Sequence, residues 1–452
     1  MTAATRPLPG PPREYHFPAF ERHVLSSGLT VIVAPVRKLP VVSVAAVIDV
    51  TAVDDPPRLE GVAELTAQAL REGTTSRDGM KLALDLESLG TSVEAGADWD
   101  RTLASMTVLR DKLVPAFGIF AEVLTSPAFN ETDIERLKAE RLAERLQILD
   151  EPRGLADESF SRFIYAEGSR YGEPISGSTA SVSRISRAEI AGFYARTYSP
   201  GSTTVIVAGD VGVDEAVTLA ESHLGFWKGG EKPERGRVDA ASRSNRAIEI
   251  VAKADAAQSE LRIGHIGVPR SHQEYFDIVV MNAVLGGLFS SRINLNLREA
   301  HGYTYGASSY YDWRRQAGPF VISTAVQSEV TGEAISETLK EIERMRTEEI
   351  TRDELTLATS YLEGVFPIRY ETTASIAAAL ANLVTFDLPR DYYDVYRARI
   401  AGVTTADVLE AARTHVRSAA LQITVVGNPE IVQPAVEALA FGPLTVREPE
   451  ES

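Results

Sequence analysis

Two kinds of hydrophobic pattern recur along the chain, in the same order twice. Dense, short apolar runs come first: Gly28-Leu-Thr-Val-Ile-Val-Ala34 and Val41-Val-Ser-Val-Ala-Ala-Val-Ile48, then Ala247-Ile-Glu-Ile-Val251 and Glu260-Leu-Arg-Ile-Gly-His-Ile266. Their length and β-branched content predict strands. Segments with apolar residues every three or four positions follow each group and predict helices. One more strand closes each series, at 205–208 and at 423–426. Strands come in clusters and helices in pairs, so the fold class is α+β. Each half is expected to hold a mainly antiparallel sheet with helices packed on one face.

The repetition is visible residue by residue. Ile185-Ser-Arg-Ala-Glu-Ile190 precedes the strand Val205-Ile-Val-Ala-Gly209, and Val403-Thr-Thr-Ala-Asp-Val408 precedes Ile423-Thr-Val-Val-Gly427, each 218 positions later. Both segments open with a capping box, Ser186-x-x-Glu189 and Thr404-x-x-Asp407. A second pair, Thr132-x-x-Glu135 and Thr351-x-x-Glu354, lies 219 positions apart. The helix after Thr132 carries Ile134, Leu137, Leu142 and Leu146 and stops at Pro152. Matched features at one offset indicate duplication. The halves are placed at 15–228 and 247–452, joined by a polar, glycine-rich and charged linker at 229–246.

Composition removes several functions. The chain has 452 residues and a formal charge of −17, which argues against nucleic-acid binding. The longest apolar run is Val41 to Ile48, far short of the roughly 20 residues that span a bilayer. The N-terminus has no apolar signal-peptide core. The expected compartment is the cytoplasm, with the periplasm open if a leader is removed. There is no cysteine, so thiolate metal sites, disulfides and cysteine nucleophiles are excluded. No two of the seven histidines are three to five apart, so no helix offers a zinc-binding histidine pair. His265 and His272 flank a turn at Pro269-Arg270-Ser271 and read as unrelated. No phosphate-binding loop, nucleophile elbow or dinucleotide fingerprint occurs.

One segment is defined by what it lacks. Ile48-Asp-Val-Thr-Ala-Val-Asp-Asp-Pro-Pro57 leads into Gly61-Val-Ala-Glu64-Leu-Thr-Ala67-Gln68-Ala-Leu70 and then Gly73-Thr74. This frame resembles the pitrilysin/insulinase-like zinc peptidases, which include the mitochondrial processing peptidase. These are inverzincins, with an H-x-x-E-H helix in that place. The resemblance puts Glu64 at the first zinc histidine, Ala67 at the general base and Gln68 at the second zinc histidine. The family's third ligand is a glutamate about 75 residues on, and Glu144 lies in that region. One carboxylate cannot hold zinc where three protein ligands and a water are needed. The segment 61–70 also reads as a plain amphipathic helix burying Val62, Leu65, Ala69 and Leu70.

The second half is fuller. Leu285-Gly-Gly-Leu-Phe-Ser-Ser-Arg-Ile-Asn-Leu-Asn-Leu-Arg298-Glu-Ala-His-Gly-Tyr303-Thr-Tyr305-Gly306 resembles the family's L-G-G…S-R-L…L-R-E…G-x-x-Y segment. The resemblance makes Arg298 and Tyr305 the pair that holds substrate and steadies the oxyanion across from the zinc. Residues 291–301 read as a helix with Gly302 just past its end, and Tyr303 onward as a strand. Arg298 also suits a helix C-terminus, and Tyr305 a half-buried strand. Trp227 and Tyr198-Ser-Pro200 fit the family as well.

The resemblance implies a zinc-less subunit of a heterodimeric metalloendopeptidase. It would bind no cofactor itself and be inactive alone. Its partner would be an H-x-x-E-H homologue carrying zinc, and its substrate a peptide or unfolded segment. Arg298 and Tyr305 would act in trans. The alternatives are an inert scaffold subunit and a peptide-binding protein of the same fold.

Overall fold

The computed structural model describes residues 14–229, 235–238 and 243–449. The apolar runs form two six-stranded sheets. The first contains β1 (Glu21–Val24), β2 (Thr30–Pro35), β3 (Val41–Ile48), β4 (Glu94–Ala97), β5 (Thr102–Leu109) and β6 (Thr203–Gly209). The second contains β7 (Ala247–Ala252), β8 (Gln258–Ile266), β9 (Ala307–Tyr311), β10 (Pro319–Gln327), β11 (Gln422–Gly427) and β12 (Leu444–Arg447). Their orders are β1-β2-β6-β3-β5-β4 and β12-β7-β11-β8-β10-β9. Five strands of each sheet correspond one to one. β2 and β6 run parallel with Val31 opposite Val205, and β7 and β11 run parallel with Ile248 opposite Ile423. The sixth strand breaks the symmetry. β1 adds antiparallel from the N-terminal side, whereas β12 adds parallel from the C-terminal side.

Strand β3 shows how the sheets are covered. Val42, Val44, Ala46 and Ile48 face the first half's own helices. Ala45 and Val47, with Ile206 and Ala208 of β6, face the opposite way and join the second half's core. Their cover is the helix Thr373–Thr385, which belongs to the second half and lies along β3 and β6. Ser43 Oγ and Thr373 Oγ1 are hydrogen-bonded across this contact at 2.8 Å. The exchange is reciprocal. Helix Pro152–Ile164 of the first half lies on β8 and β11. Its Leu155 and Ala156 pack with Val251 and Val426, and its Phe160 and Ile164 with Ile266 and Val321. Arg262 on β8 donates to Asp157 of the same helix at 2.5 Å. Each sheet therefore has its own helices on one face and the other half's helix on the second. Burial on both faces explains why the strands read as unbroken apolar runs rather than as alternation.

The capping boxes at Ser186, Thr351 and Thr404 form. Thr132 does not cap: its helix, Glu131–Asp150, begins earlier because the chain leaves extended geometry at Asn130. Pro152 opens the next helix at its first position, where its missing N–H leaves nothing unpaired. Of the predicted linker, 230–234 and 239–242 lie outside the described residues. Arg235 pairs with Asp49 of the first half at 3.0 Å and with Asp387 of the second at 2.7 Å. The Gly236 N–H donates to Asp54 at 3.2 Å and the Val238 N–H to Gln316 at 3.0 Å. Among the described residues, Tyr275–Ala300 is long and apolar enough to cross a membrane by composition, and its apolar window is 61% buried inside the protein.

Because each sheet needs a helix from the other half, the halves should unfold together. Phe160 is 2% exposed and packs onto the second sheet. Phe160→Ala is expected to lower stability by about 3–5 kcal/mol. Fluorescence and circular-dichroism denaturation curves should remain coincident; two separated transitions in the unmutated chain would contradict the coupling.

Candidate functional site

Helix Val62–Ala69 is held at its start by two devices. Gly61 takes φ 98°, and a Cβ there would meet the Ser176 carbonyl oxygen at 2.5 Å. Asp55 accepts hydrogen bonds from the N–H groups of Gly61 at 2.7 Å and Ala63 at 2.8 Å. The Asp55 carboxyl also pairs with Arg170 at 2.8 Å, yet burial pushes its pKa up to about 6. Val62, Ala63, Leu65 and Ala69 enter the core, and Ala67 is buried with no chemistry to offer. Glu64 and Gln68 share the remaining face, and Gln68 Nε2 donates to Glu64 Oε1 at 3.3 Å.

The long helix Glu131–Asp150 supplies what the sequence did not reveal. Arg141 donates to Glu64 Oε1 at 2.9 Å and pairs with Glu144 at 3.1 Å. Its guanidinium thus lies between the Glu64 and Glu144 carboxylates. Burial raises the Glu64 pKa, and the Arg141 charge opposes that shift. The group around Glu64 is therefore a guanidinium, an amide and a buried alanine. These residues do not fit a zinc ion, because the guanidinium already compensates the carboxylates and no imidazole is present.

The second segment takes a different form from a plain helix. Helix Tyr275–Asn282 widens to a π-helical turn over Ala283–Gly287, and a short helix Arg292–Asn294 widens again over Leu295–Ala300. Such turns often accompany functional sites. Gly302 follows at φ 67°, as a helix-terminating glycine should. The expected strand begins later, at Ala307, so Tyr305 stands in the loop before β9. The Thr304 hydroxyl bridges that loop, accepting from the Gly306 N–H and donating to the Gly306 carbonyl. Tyr305 is 94% exposed and, among the described residues, makes no side-chain hydrogen bond. It is not a packed strand tyrosine. Arg298 stacks over the Phe289 ring at 4.5 Å and lies 3.0 Å from Glu299, without the angle of a hydrogen bond. No direct Arg298–Tyr305 contact forms.

A family model described as Insulinase (Peptidase family M16) matches residues 31–173, and one described as Peptidase M16 inactive domain matches residues 184–362. The chain belongs to the M16 peptidase family. An uncharacterized zinc protease of Streptomyces coelicolor is 23% identical over 80% of this chain and 79% of its own length. Another, YmxG of Bacillus subtilis, is 23% identical over 78% of this chain and 85% of its own length. The crystal structure of a peptidase M16 inactive domain from Pseudomonas fluorescens superposes with a TM-score of 0.85 at 24% identity, covering 90% of this chain and 98% of that one.

Within this M16 fold a cavity of about 880 Å³ lies between the halves. Its wall includes Asp54, Trp99, Asp100, Tyr171, Arg270 and Arg315. A smaller pocket of about 370 Å³ contains Glu64 and shares Trp99 and Tyr171 with it. Arg314 lies over both of these rings, at 4.8 and 4.5 Å, and Arg170 over Trp99 at 5.0 Å. None of these was singled out from sequence, since residues from both halves compose the wall. Arg141 left one faint trace, as a cation one helical turn before Glu144 on the buried side.

Removing Arg141 leaves the desolvated Glu64 without its cation. Arg141→Ala is expected to cost about 2–4 kcal/mol near pH 8. The loss should shrink toward pH 5, because burial raises the Glu64 pKa and favours its neutral form, as read by denaturant titration at both values. Asp100 is 6% exposed, and burial lifts its pKa to about 6. A carboxyl raised on folding contributes stability below its unfolded pKa, which is lost as pH rises through the folded value. Asp100→Asn still accepts the Arg315 N–H bond. It should stabilise the chain by up to about 3 kcal/mol above pH 7 and far less near pH 4.

Proposed function

We propose that this chain is the non-zinc subunit of a two-chain M16 metalloendopeptidase and contributes Arg298 and Tyr305 to peptide hydrolysis. The observation that carries the reading is Tyr305, a phenol 94% exposed beside a helix end that presents Arg298. An unpaired tyrosine in a loop braced by Thr304 has its donor free for a ligand. Arg141 between Glu64 and Glu144 supports assigning zinc to a homologous H-x-x-E-H partner rather than to this chain. The names of the curated relatives as zinc proteases are consistent with zinc in the family.

In this reading the Arg298 guanidinium and the Tyr305 hydroxyl are brought onto a substrate carbonyl, whose oxygen gains charge, when the partner closes over the peptide. Each donor so positioned is worth about 3 kcal/mol of barrier. Among the described residues, strand β4 is the edge strand of its sheet and pairs with β5 alone. Its Ala97 lines the pocket that holds Glu64. That edge suits an extended peptide added as a further strand, with backbone hydrogen bonds for affinity. The chain alone is inactive on this account.

The test is a pair reconstituted from this chain and the zinc-bearing homologue that co-purifies with it. Arg298→Ala and Tyr305→Phe are each expected to lower kcat by about 100- to 1,000-fold, with the complex intact on size exclusion. Full activity in both variants would sink the proposal and leave the inert-scaffold reading.

A further inference from the structure

We propose that His272, Glu274 and His415 form a binding site for one divalent transition-metal ion of the zinc type, separate from the degenerate M16 motif. His272 and Glu274 lie in the turn between β8 and helix Tyr275–Asn282, and His415 is the last residue of helix Thr405–His415. The fold brings Glu274 and His415 together across 141 positions of sequence. His415 Nε2 lies 2.5 Å from Glu274 Oε2, and the two imidazole rings meet edge-on with centroids 4.8 Å apart. One donor atom from each of the three residues lies within 4.8 Å of the other two. Two imidazoles and one carboxylate are a zinc donor set, with the fourth position left for water.

The surroundings favour a cation. His415 is 6% exposed in its side chain, whereas Glu274 is 38% exposed, so the group is anchored on one side and open to solvent on the other. Asp277 lies within electrostatic range of Asp407 and Glu274, with His415 and Arg399 opposing them. A helix C-terminal histidine paired with a glutamate would by itself explain His415 and Glu274. It does not explain why a second imidazole packs against the first. His272 Nδ1 accepts only a long bond, 3.3 Å, from the Glu274 N–H. That leaves its lone pair lightly used.

The position gives the ion a consequence. The same turn carries Arg270 and Ser271 on the wall of the cavity between the halves. Arg270 stacks on Tyr275 at 3.6 Å and donates to the Tyr392 hydroxyl at 2.5 Å. An ion at His272, Glu274 and His415 clips this turn to the end of helix Thr405–His415 and fixes that part of the wall. With three protein ligands the ion keeps one open position for water, and its placement ties two elements of the second half together. It stands independently of any partner subunit.

The full chain, stripped with a chelator, is titrated with Zn²⁺ by calorimetry and with Co²⁺ by visible absorption. The expected result is one equivalent bound, intense bands of low-coordinate cobalt, and an unfolding midpoint that rises with zinc. His272→Gln and His415→Gln should each weaken binding by more than about 100-fold, beyond the loss that an outer-shell residue gives. Glu64→Gln and Glu144→Gln should leave it unchanged, which separates this site from the first-half motif. Should His415→Gln misfold, His272→Gln, on the partly exposed turn, carries the test. Absence of binding at hundred-micromolar metal, or binding that survives His272→Gln, would overturn the proposal.

Discussion

Each sheet of this protein depends on a helix that it does not own. The faces of β3 and β6 that carry Ala45, Val47, Ile206 and Ala208 are part of the second half's core. They are buried by Thr373–Thr385, and Pro152–Ile164 returns the same service to β8 and β11. Apolar strand surface left open to water is unfavourable in proportion to its area. The two halves are therefore one folding unit, and their mutual placement is set by core packing rather than by the linker. The cavity between them is walled by segments of both halves, including Phe386 and Asp387 just past Thr373–Thr385.

The chemistry of the first half follows from one substitution of charge. A desolvated carboxylate must be matched by a cation or take up a proton. At Glu64 the cation is Arg141, reached from the neighbouring long helix and shared with Glu144. A guanidinium fixes the two helices against each other but cannot polarise a carbonyl or activate water as a metal does. The frame around the motif survives because the packing of Val62, Leu65 and Ala69 and the cap from Asp55 still require it. The second half differs because its notable residues are an exposed tyrosine and a half-buried arginine. Tyr305 is exposed and Arg298 rests on Phe289. Neither is held by the core, so packing alone does not account for them.

Much of this was legible in the sequence. The repeat, the strand runs and the capping residues at Ser186, Thr351 and Thr404 are all local patterns. Local patterns act over a few residues through backbone geometry and side-chain hydrogen bonds. Gly302 could be placed for the same reason. The helix start near Thr132 was misplaced because Asn130, an equally good capping type, lies two residues earlier and the chain turns there.

What only the tertiary structure decided are the contacts between elements distant in sequence. Arg141 meeting Glu64, the two exchanged helices, the mixed wall of Trp99, Tyr171 and Arg314, and the approach of His272 to His415 all belong to this class. The histidines illustrate the reason. Along the chain their nearest neighbours are unremarkable, and His265, the closest in sequence to His272, is instead a buried residue bonded to the Arg417 N–H at 3.0 Å. Sequence by itself determined the periodicity, and hence the elements and their duplication. Which faces meet is a property of the whole packed arrangement, because burial is non-directional and is satisfied only when all the elements are in place.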